Sequence, residues 1–344
     1  MRLIRSGPGS IAGIADLLAE VGARRALLVT TRRGAEAAAR LPLPLAGAFE
    51  GVRPHVPVET VELACAQVVE LDADALIGFG GGAAIDTCKA VAARLLAEGP
   101  ATGRCKIVAV PTTYAGAEWT PFFGMLLGPG RKGGGMDERV TPVAAVYDAE
   151  LTLGLPLEPT VGTTMNALAH CAEAYYHPST NEDVARNADA GTRAIAAALP
   201  EVAADLGALP ARTLLLEGAM HAALALADSG LCLGHAMAQG LGGRYGLPQG
   251  TMNAICLPVA LRFNAVAAPA ALTRFADALG VDDAPKGCHE LARLGGFPLR
   301  LRDHGVPLAE LDEVAAQIAA RPGARANPRP VAAADVEGLL REIW

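Results

Sequence analysis

The stretch that most constrains this chain is DALIGFGGGAAIDTCKAVAARLLAE, residues 74–98. Asp74–Phe79 is a short continuous apolar run, as a strand buried on both faces should be. It breaks into Gly80-Gly81-Gly82 and passes into a helical pattern. Without a Cβ the backbone can approach a phosphate closely, and the helix that follows offers free N–H groups and a positive dipole end. A glycine run is also an ordinary turn. Two further features point beyond a turn: Asp86-x-x-Lys89 on the helix, and a second strand–loop unit, VPTTYAGAE (110–118). That unit sets the hydroxyls of Thr112 and Thr113 at another strand's carboxyl end, where open α/β sheets bind ligands. Gly7-Pro8-Gly9-Ser10 is a third small-residue turn ahead of a helix.

Around this stretch the first half alternates strand and helix signals. Arg25–Thr30 and Lys106–Val110 read as further strands, and IAGIADLLAEVG as a helix ending at Gly22. Such alternation predicts a parallel sheet with helices on its faces. From Leu157 onward the pattern is almost wholly helical, and the composition shift with its prolines places a boundary within LTLGLPLEP (151–159). The reading is therefore an α/β domain over 1–155 and an all-α domain over 156–344.

Apolar residues make up 51% of the 344 and charged residues 19%, which excludes a disordered chain. A net charge of −7 supplies no basic field for nucleic acid. No run of about 18 apolar residues reads as a membrane span, and MRLIRSGPGSIAG lacks the pattern of a secretory signal. The seven cysteines are scattered without a CxxC pair and read as buried, reduced thiols. A cytoplasmic protein is expected.

The candidate chemistry lies in a few positions. After the first strand, Thr31-Arg32-Arg33 stands where an acidic residue would hold a ribose 2′-hydroxyl and an arginine would favour a 2′-phosphate. Solvated arginines at a helix start account for the pair equally well. Asn166 and His170 share a helical face at i, i+4, and His235 and Gln249 follow in HAMAQGLGGRYGLPQG. With Asp and His in place of Asn166 and Gln249 these would form a one-carboxylate, three-imidazole metal site. Neutral amides are poor ligands, so no metal is expected.

These residues resemble the iron-containing alcohol dehydrogenase superfamily, and within it the maleylacetate reductase branch. The likeness runs along nearly the whole chain. It is carried by GFGGGAAIDTCKA (78–90), VPTTYAGAEWTP (110–121), RKGGGMDERVTPVAAVYDAELTLGLP (131–156), MNALAHCAEAYY (165–176) and HAMAQGLGGRYGLPQGTMNAICLPVALRFN (235–264), with His55-Val56-Pro57 also typical of the branch. The resemblance implies a Rossmann-like dinucleotide-binding domain and a helical domain (a dehydroquinate synthase-like fold), with the active site in the cleft between them, and usually a homodimer. It implies NAD(P)H at Gly80, Gly81, Gly82, Ala83, Asp86, Thr112, Thr113, Thr120 and Leu153, to which Thr31 is added from its place after the first strand. The superfamily's metal positions fall on Asn166, His170, His235 and Gln249, and the branch itself carries Asn at the first. The departures concern the chemistry. Gln239 and Gln249 stand where the branch has histidines, and Ala117 where it has Ser. Glutamine cannot act as a general acid near neutral pH.

The expected function is a metal-independent NAD(P)H reductase of a small, carboxylated oxo or enone substrate. His170 and His235 would be its ionisable groups, with Asn166, Gln239 and Gln249 as neutral donors. Tyr114, Arg131, Lys132 and Arg244 are candidates for the substrate, although the three cations read equally well as solvent-facing charges. The alternative is a non-redox enzyme on the same fold, a lyase, isomerase or cyclase of natural-product biosynthesis. Neither reading calls for nucleic acid or a membrane.

Overall fold

The computed structural model describes residues 2–41, 43–99, 105–128 and 131–344, with the side chain of Lys132 outside the description. The chain divides into two compact units, Met1–Thr113 with Ala117–Gly154, and Tyr114–Gly116 with Leu155–Trp344.

In the first unit the three expected strands are present: β2 (Ala26–Val29), β4 (Ala75–Gly80) and β5 (Lys106–Pro111). Three more complete a parallel sheet of six: β1 (Leu3–Ser6), β3 (Leu45–Phe49) and β8 (Ala144–Tyr147), in the order β1-β8-β5-β4-β2-β3. An antiparallel hairpin, β6 (Phe122–Leu126) with β7 (Lys132–Met136), lies apart from that sheet. Helices α1 (Ile14–Glu20), α2 (Arg32–Ala38), α3 (Val58–Glu70) and α4 (Gly82–Glu98) supply the connections. Both faces are buried. Leu27, Val29 and Leu76 join one apolar cluster, while Leu28, Ile77 and Val108 join another. This is the period-two division of a covered sheet, and it explains why the strands read as unbroken apolar runs.

The strand order fixes where a ligand can bind. β2 connects outward to edge strand β3, whereas β4 connects the other way to β5. The carboxyl ends of β2 and β4 therefore flank a topological switch point, the usual ligand position in such sheets. Thr30 ties these two ends together, its Oγ1 donating to the Phe79 carbonyl at 2.7 Å. Nearby in sequence, His55 and Val56 lie in the left-handed region, at φ 61° and 50°. For branched Val56 that backbone costs on the order of 1–3 kcal/mol. Its side chain is buried in the core, and its carbonyl accepts from the Leu126 N–H at 3.0 Å.

The second unit is helical throughout: α5 (Leu157–Ala174), α6 (Glu182–Ala204), α7 (Leu209–Asp228), α8 (Leu233–Tyr245), α9 (Gln249–Asn264), α10 (Pro269–Leu279), α11 (Ala284–Arg293), α12 (Leu311–Ala319), α13 (Pro322–Arg325) and α14 (Ala333–Glu342). No single helix among the described residues is long and apolar enough to cross a membrane. α5 is the central helix, buried along nearly all of its last eleven residues and packed on α6, α7 and α9. It meets α9 glycine against glycine: a Cβ on Gly250 would stand 2.4 Å from the Gly162 carbonyl carbon. That contact sets Asn166, one turn beyond Gly162, level with Asn253 of α9.

A buried cation and a buried carboxyl organise the loop between β5 and β6 in the first unit. Lys89 of α4 is fully buried, and its Nζ donates to the Ala117 carbonyl at 2.6 Å, Thr120 Oγ1 at 2.8 Å and the Phe122 carbonyl at 3.1 Å. Burial lowers the Lys89 pKa, which Asp86, at 3.5 Å, partly restores. Glu118 is buried beside this group, and burial pushes its carboxyl from an ordinary 4.5 up to about 7. Between those two values the folded chain holds a proton that the unfolded chain has released, so stability falls as pH rises through this window. Glu118→Gln removes that titration. Urea melts from about pH 5 to about pH 8 should show wild type losing stability relative to the variant; parallel curves would contradict the assignment.

Candidate active site

In the first unit the glycine loop is built as a cradle. Gly80 ends β4 at φ 150°, where an L side chain is strained, and a Cβ there would stand 3.1 Å from that of Ala84. Gly81 is the N-cap of α4, and Gly82 and Ala83 open the helix. A Cβ on Gly81 would stand 3.1 Å from the Thr113 side chain, whose buried Oγ1 has no hydrogen-bond partner. The Thr112 N–H donates to the Gly80 carbonyl at 2.9 Å, joining the two loops. Bare backbone, an unpartnered hydroxyl and the first turn of a 17-residue helix together suit a phosphate group.

The remaining cofactor candidates have other occupations. Thr120 is buried, with its hydroxyl taken by Lys89 and the Ala117 carbonyl. Asp86 accepts from the Gly124 N–H at 3.1 Å and so holds β6 on α4. Thr31 is the N-cap of α2, its Oγ1 accepting from the Gly34 N–H at 3.1 Å. Arg32 lies 3.7 Å from Glu36, and Arg33 donates to the Gly154 carbonyl at 3.0 Å. Leu153 stands 41% exposed at the end of a 3-10 turn. The Gly7–Ser10 turn is pinned by Asp148, which accepts from the Gly9 and Ile11 N–H groups at 3.1 Å each.

In the second unit the two candidate histidines come together. His170 of α5 and His235 of α8 stack with ring centroids 4.6 Å apart and planes 12° apart. Both are buried, and both His170 Nδ1 and His235 Nε2 lack a hydrogen-bond partner. Burial, and then neighbouring His235, holds the His170 pKa well below the ordinary histidine value, so this ring is neutral near pH 7. Gly116, at φ 72°, lets the loop lie against it: a Cβ there would be 3.2 Å from Nδ1. His235 is differently placed. Its Nδ1 lies 2.8 Å from Glu173 Oε2. Glu173 also accepts from the N–H groups of Cys232 at 2.7 Å and His235 at 3.0 Å, which are the N-cap and third residue of α8. The helix has no cap from its own side chains, so Glu173 of α5 caps it.

Asn166 is held on two sides. Its Nδ2 donates to the Ala115 carbonyl at 2.7 Å and lies 3.3 Å from His170 Nε2, while its Oδ1 accepts from Asn253 Nδ2. The donor set does not fit a divalent cation. Asn166 turns an N–H toward the imidazole, its oxygen is taken, and the carboxylate beside the pair, Glu173, is already engaged by two backbone N–H groups and His235 Nδ1. Among the described residues no three His, Cys, Asp or Glu side chains converge as a metal site. Gln249 opens α9, four residues ahead of Asn253, and lies against α8 at Gly242. Gln239 sits one turn after His235, half-buried on α8.

Two substrate candidates have partners within the protein. Tyr114 is fully buried, and its hydroxyl accepts from Arg212 Nη1 at 3.1 Å. Arg212, itself buried, also donates to the Leu206 and Leu155 carbonyls, so the tyrosine is an internal strut. Arg244 forms a double fork with Glu310 and Glu313 at 2.7–2.9 Å, so its guanidinium already pairs with two carboxylates. Arg131 remains exposed in the β6–β7 turn, and the Lys132 side chain lies outside the described residues. Glu173 and Asn253 were missing from the sequence-level candidates. The signal for Glu173 is its i+3 spacing from His170, and for Asn253 its i+4 spacing from Gln249. Arg244→Ala should lower the Tm by a few degrees and leave the substrate KM unchanged. A large rise in KM with unchanged Tm would return Arg244 to the substrate.

Comparison with known proteins identifies the family. The model of the iron-containing alcohol dehydrogenases matches residues 2–149, and that of the C-terminal region of the Fe-containing alcohol dehydrogenase family matches 160–344. A maleylacetate reductase of Burkholderia cepacia is 36% identical over 342 residues, covering 98% of this chain and 94% of that one. One from Sphingobium indicum is 36% identical, covering 97% and 93%. The crystal structure of maleylacetate reductase from Agrobacterium tumefaciens superposes with a TM-score of 0.89 at 33% identity, covering 100% of this chain and 96% of that one. The chain belongs to the iron-containing alcohol dehydrogenase family, in its maleylacetate reductase-like branch, and is an oxidoreductase.

Proposed function

We propose that this oxidoreductase is an NAD(P)H-dependent, metal-independent reductase of a small oxo or enone substrate bearing a carboxylate, cytoplasmic and homodimeric. The observation that carries the cofactor is the cradle at the switch point: Gly80 and Gly81 bare their backbone beside the buried, unpartnered Thr113 hydroxyl. Gly80, Gly81, Gly82, Ala83 and Thr113 would hold the cofactor's phosphates against the start of α4. When bound, the nicotinamide supplies a hydride to the acceptor carbon. The 2′-position meets no acid directly after β2, where Thr31 is followed by Arg32 and Arg33. NADPH is therefore served at least as well as NADH.

The chain's own residues handle the proton. Gln239 and Gln249 cannot titrate, and burial keeps His170 neutral. His235, with Nδ1 on Glu173 and Nε2 unpartnered, is the ring whose Nε2 would give up a proton as the acceptor is reduced. Asn166 orients His170, and exposed Arg131 can pair with a substrate carboxylate. Metal independence is supported by the donor chemistry, since an amide N–H occupies the place of an anionic ligand.

The test is an assay with small oxo- and enone-dicarboxylates, following product and nicotinamide absorbance together. The expected result is one nicotinamide oxidised per product formed, and no product without cofactor. Gly81→Val, which fills the space in front of Thr113, should raise the KM for NAD(P)H at least tenfold, or about 1.4 kcal/mol. Product formed without cofactor consumption would replace the reductase with a non-redox enzyme.

A further inference from the structure

We propose that Glu173 is the positioning residue of this site: it fixes the tautomer of His235 and aims its Nε2 as the proton donor. The inference rests on the reductase reading for its kinetics, but not for its geometry. Glu173 is fully buried, and its two oxygens take three donors within 3.0 Å. Two of them are backbone N–H groups at the start of α8. They bind the carboxylate rigidly and place it at the positive end of the helix dipole. Gly234 makes the approach possible, since a Cβ there would stand 3.0 Å from Oε1.

With both oxygens occupied as acceptors, the third donor must be a ring N–H. His235 is therefore held as the Nδ1–H tautomer. Its Nε2, buried and without a partner, is left to exchange a proton with substrate. His170 has no such brace. It faces the Asn166 amide on one side and has no partner on the other.

The step balances. As the acceptor carbon gains hydride, its π-electron pair moves to the carbonyl oxygen, or to the enone as an enolate. That atom takes the proton from Nε2–H. The imidazole is left neutral with Nδ1–H still on Glu173, and solvent returns one proton per turnover. A proton donor built from His235 and Glu173 also removes the need for histidines at 239 and 249.

The experiment is ¹⁵N NMR of histidine-labelled protein combined with steady-state kinetics. In wild type the neutral His235 ring is expected as Nδ1–H; finding it as Nε2–H overturns the proposal. Glu173→Gln keeps one carbonyl oxygen for the helix but presents an NH₂ to Nδ1. It should flip the tautomer and lower kcat roughly 10²–10⁴-fold, with KM for substrate and nucleotide within about threefold. Unchanged kcat in a folded variant refutes the positioning role. Should Glu173→Gln fail to fold, Glu173→Asp retains the charge. It should keep the wild-type tautomer and recover at least about a tenth of kcat, and a tautomer change there refutes the proposal. A wild type inactive on every oxo and enone acid, yet holding Nδ1–H, would count against the reductase reading and leave the geometry standing.

Discussion

A single carboxylate, Glu173 of α5, holds the start of α8 in the second unit. Burying a charge costs several kcal/mol unless donors and an opposing field compensate it. Here the donors are the Cys232 and His235 N–H groups and the His235 ring, and the field is that of the α8 N-terminus. The dependence is mutual. Without Glu173, α8 begins with unsatisfied N–H groups inside the protein, and His235 loses its orientation. Without α8 the carboxylate has no partner. The spacing of His170 and Glu173 on α5 then brings His170 onto the face of His235.

Glycine contacts determine how closely these helices approach. Gly162 and Gly250 let α5 and α9 touch backbone to backbone, which sets Asn253 against Asn166. Gly191 and Gly218 do the same where α6 and α7 meet, beside Cys171. Arg212 is buried, with donors used on Tyr114, Leu155 and Leu206, and so anchors the short Tyr114–Gly116 segment that lies against His170. In the first unit Lys89 plays the corresponding part for the loop before β6.

The parts of this structure legible in the sequence are those governed by local pattern. The three central strands were readable because burial on both faces makes them continuous apolar runs. The glycine loop was readable because it interrupts one of them. Strands β1, β3 and β8 escaped notice, being four or five residues long and, in β3 and β8, rich in alanine or glycine. What a polar side chain binds is decided by partners distant in sequence. Tyr114 and Arg244 looked available because Arg212 and the Glu310–Glu313 pair lie 98 and 66–69 residues away. Glu173 was overlooked for the converse reason. An acid on a helix ordinarily faces water, and its burial depends on the α8 N-terminus, 59 residues on.

Under the proposed mechanism the glutamines at 239 and 249 and the amide at 166 share one explanation. If a braced imidazole delivers the proton as proposed, neither a metal nor a second titrating ring is required, and amides can fill those positions as neutral donors. The most direct test is turnover of chelator-treated protein, with metal content determined on the same sample. The account predicts full NAD(P)H-dependent reduction by protein whose iron and zinc are far below one per chain. Activity that falls with the metal and returns when zinc or iron is added back would contradict it.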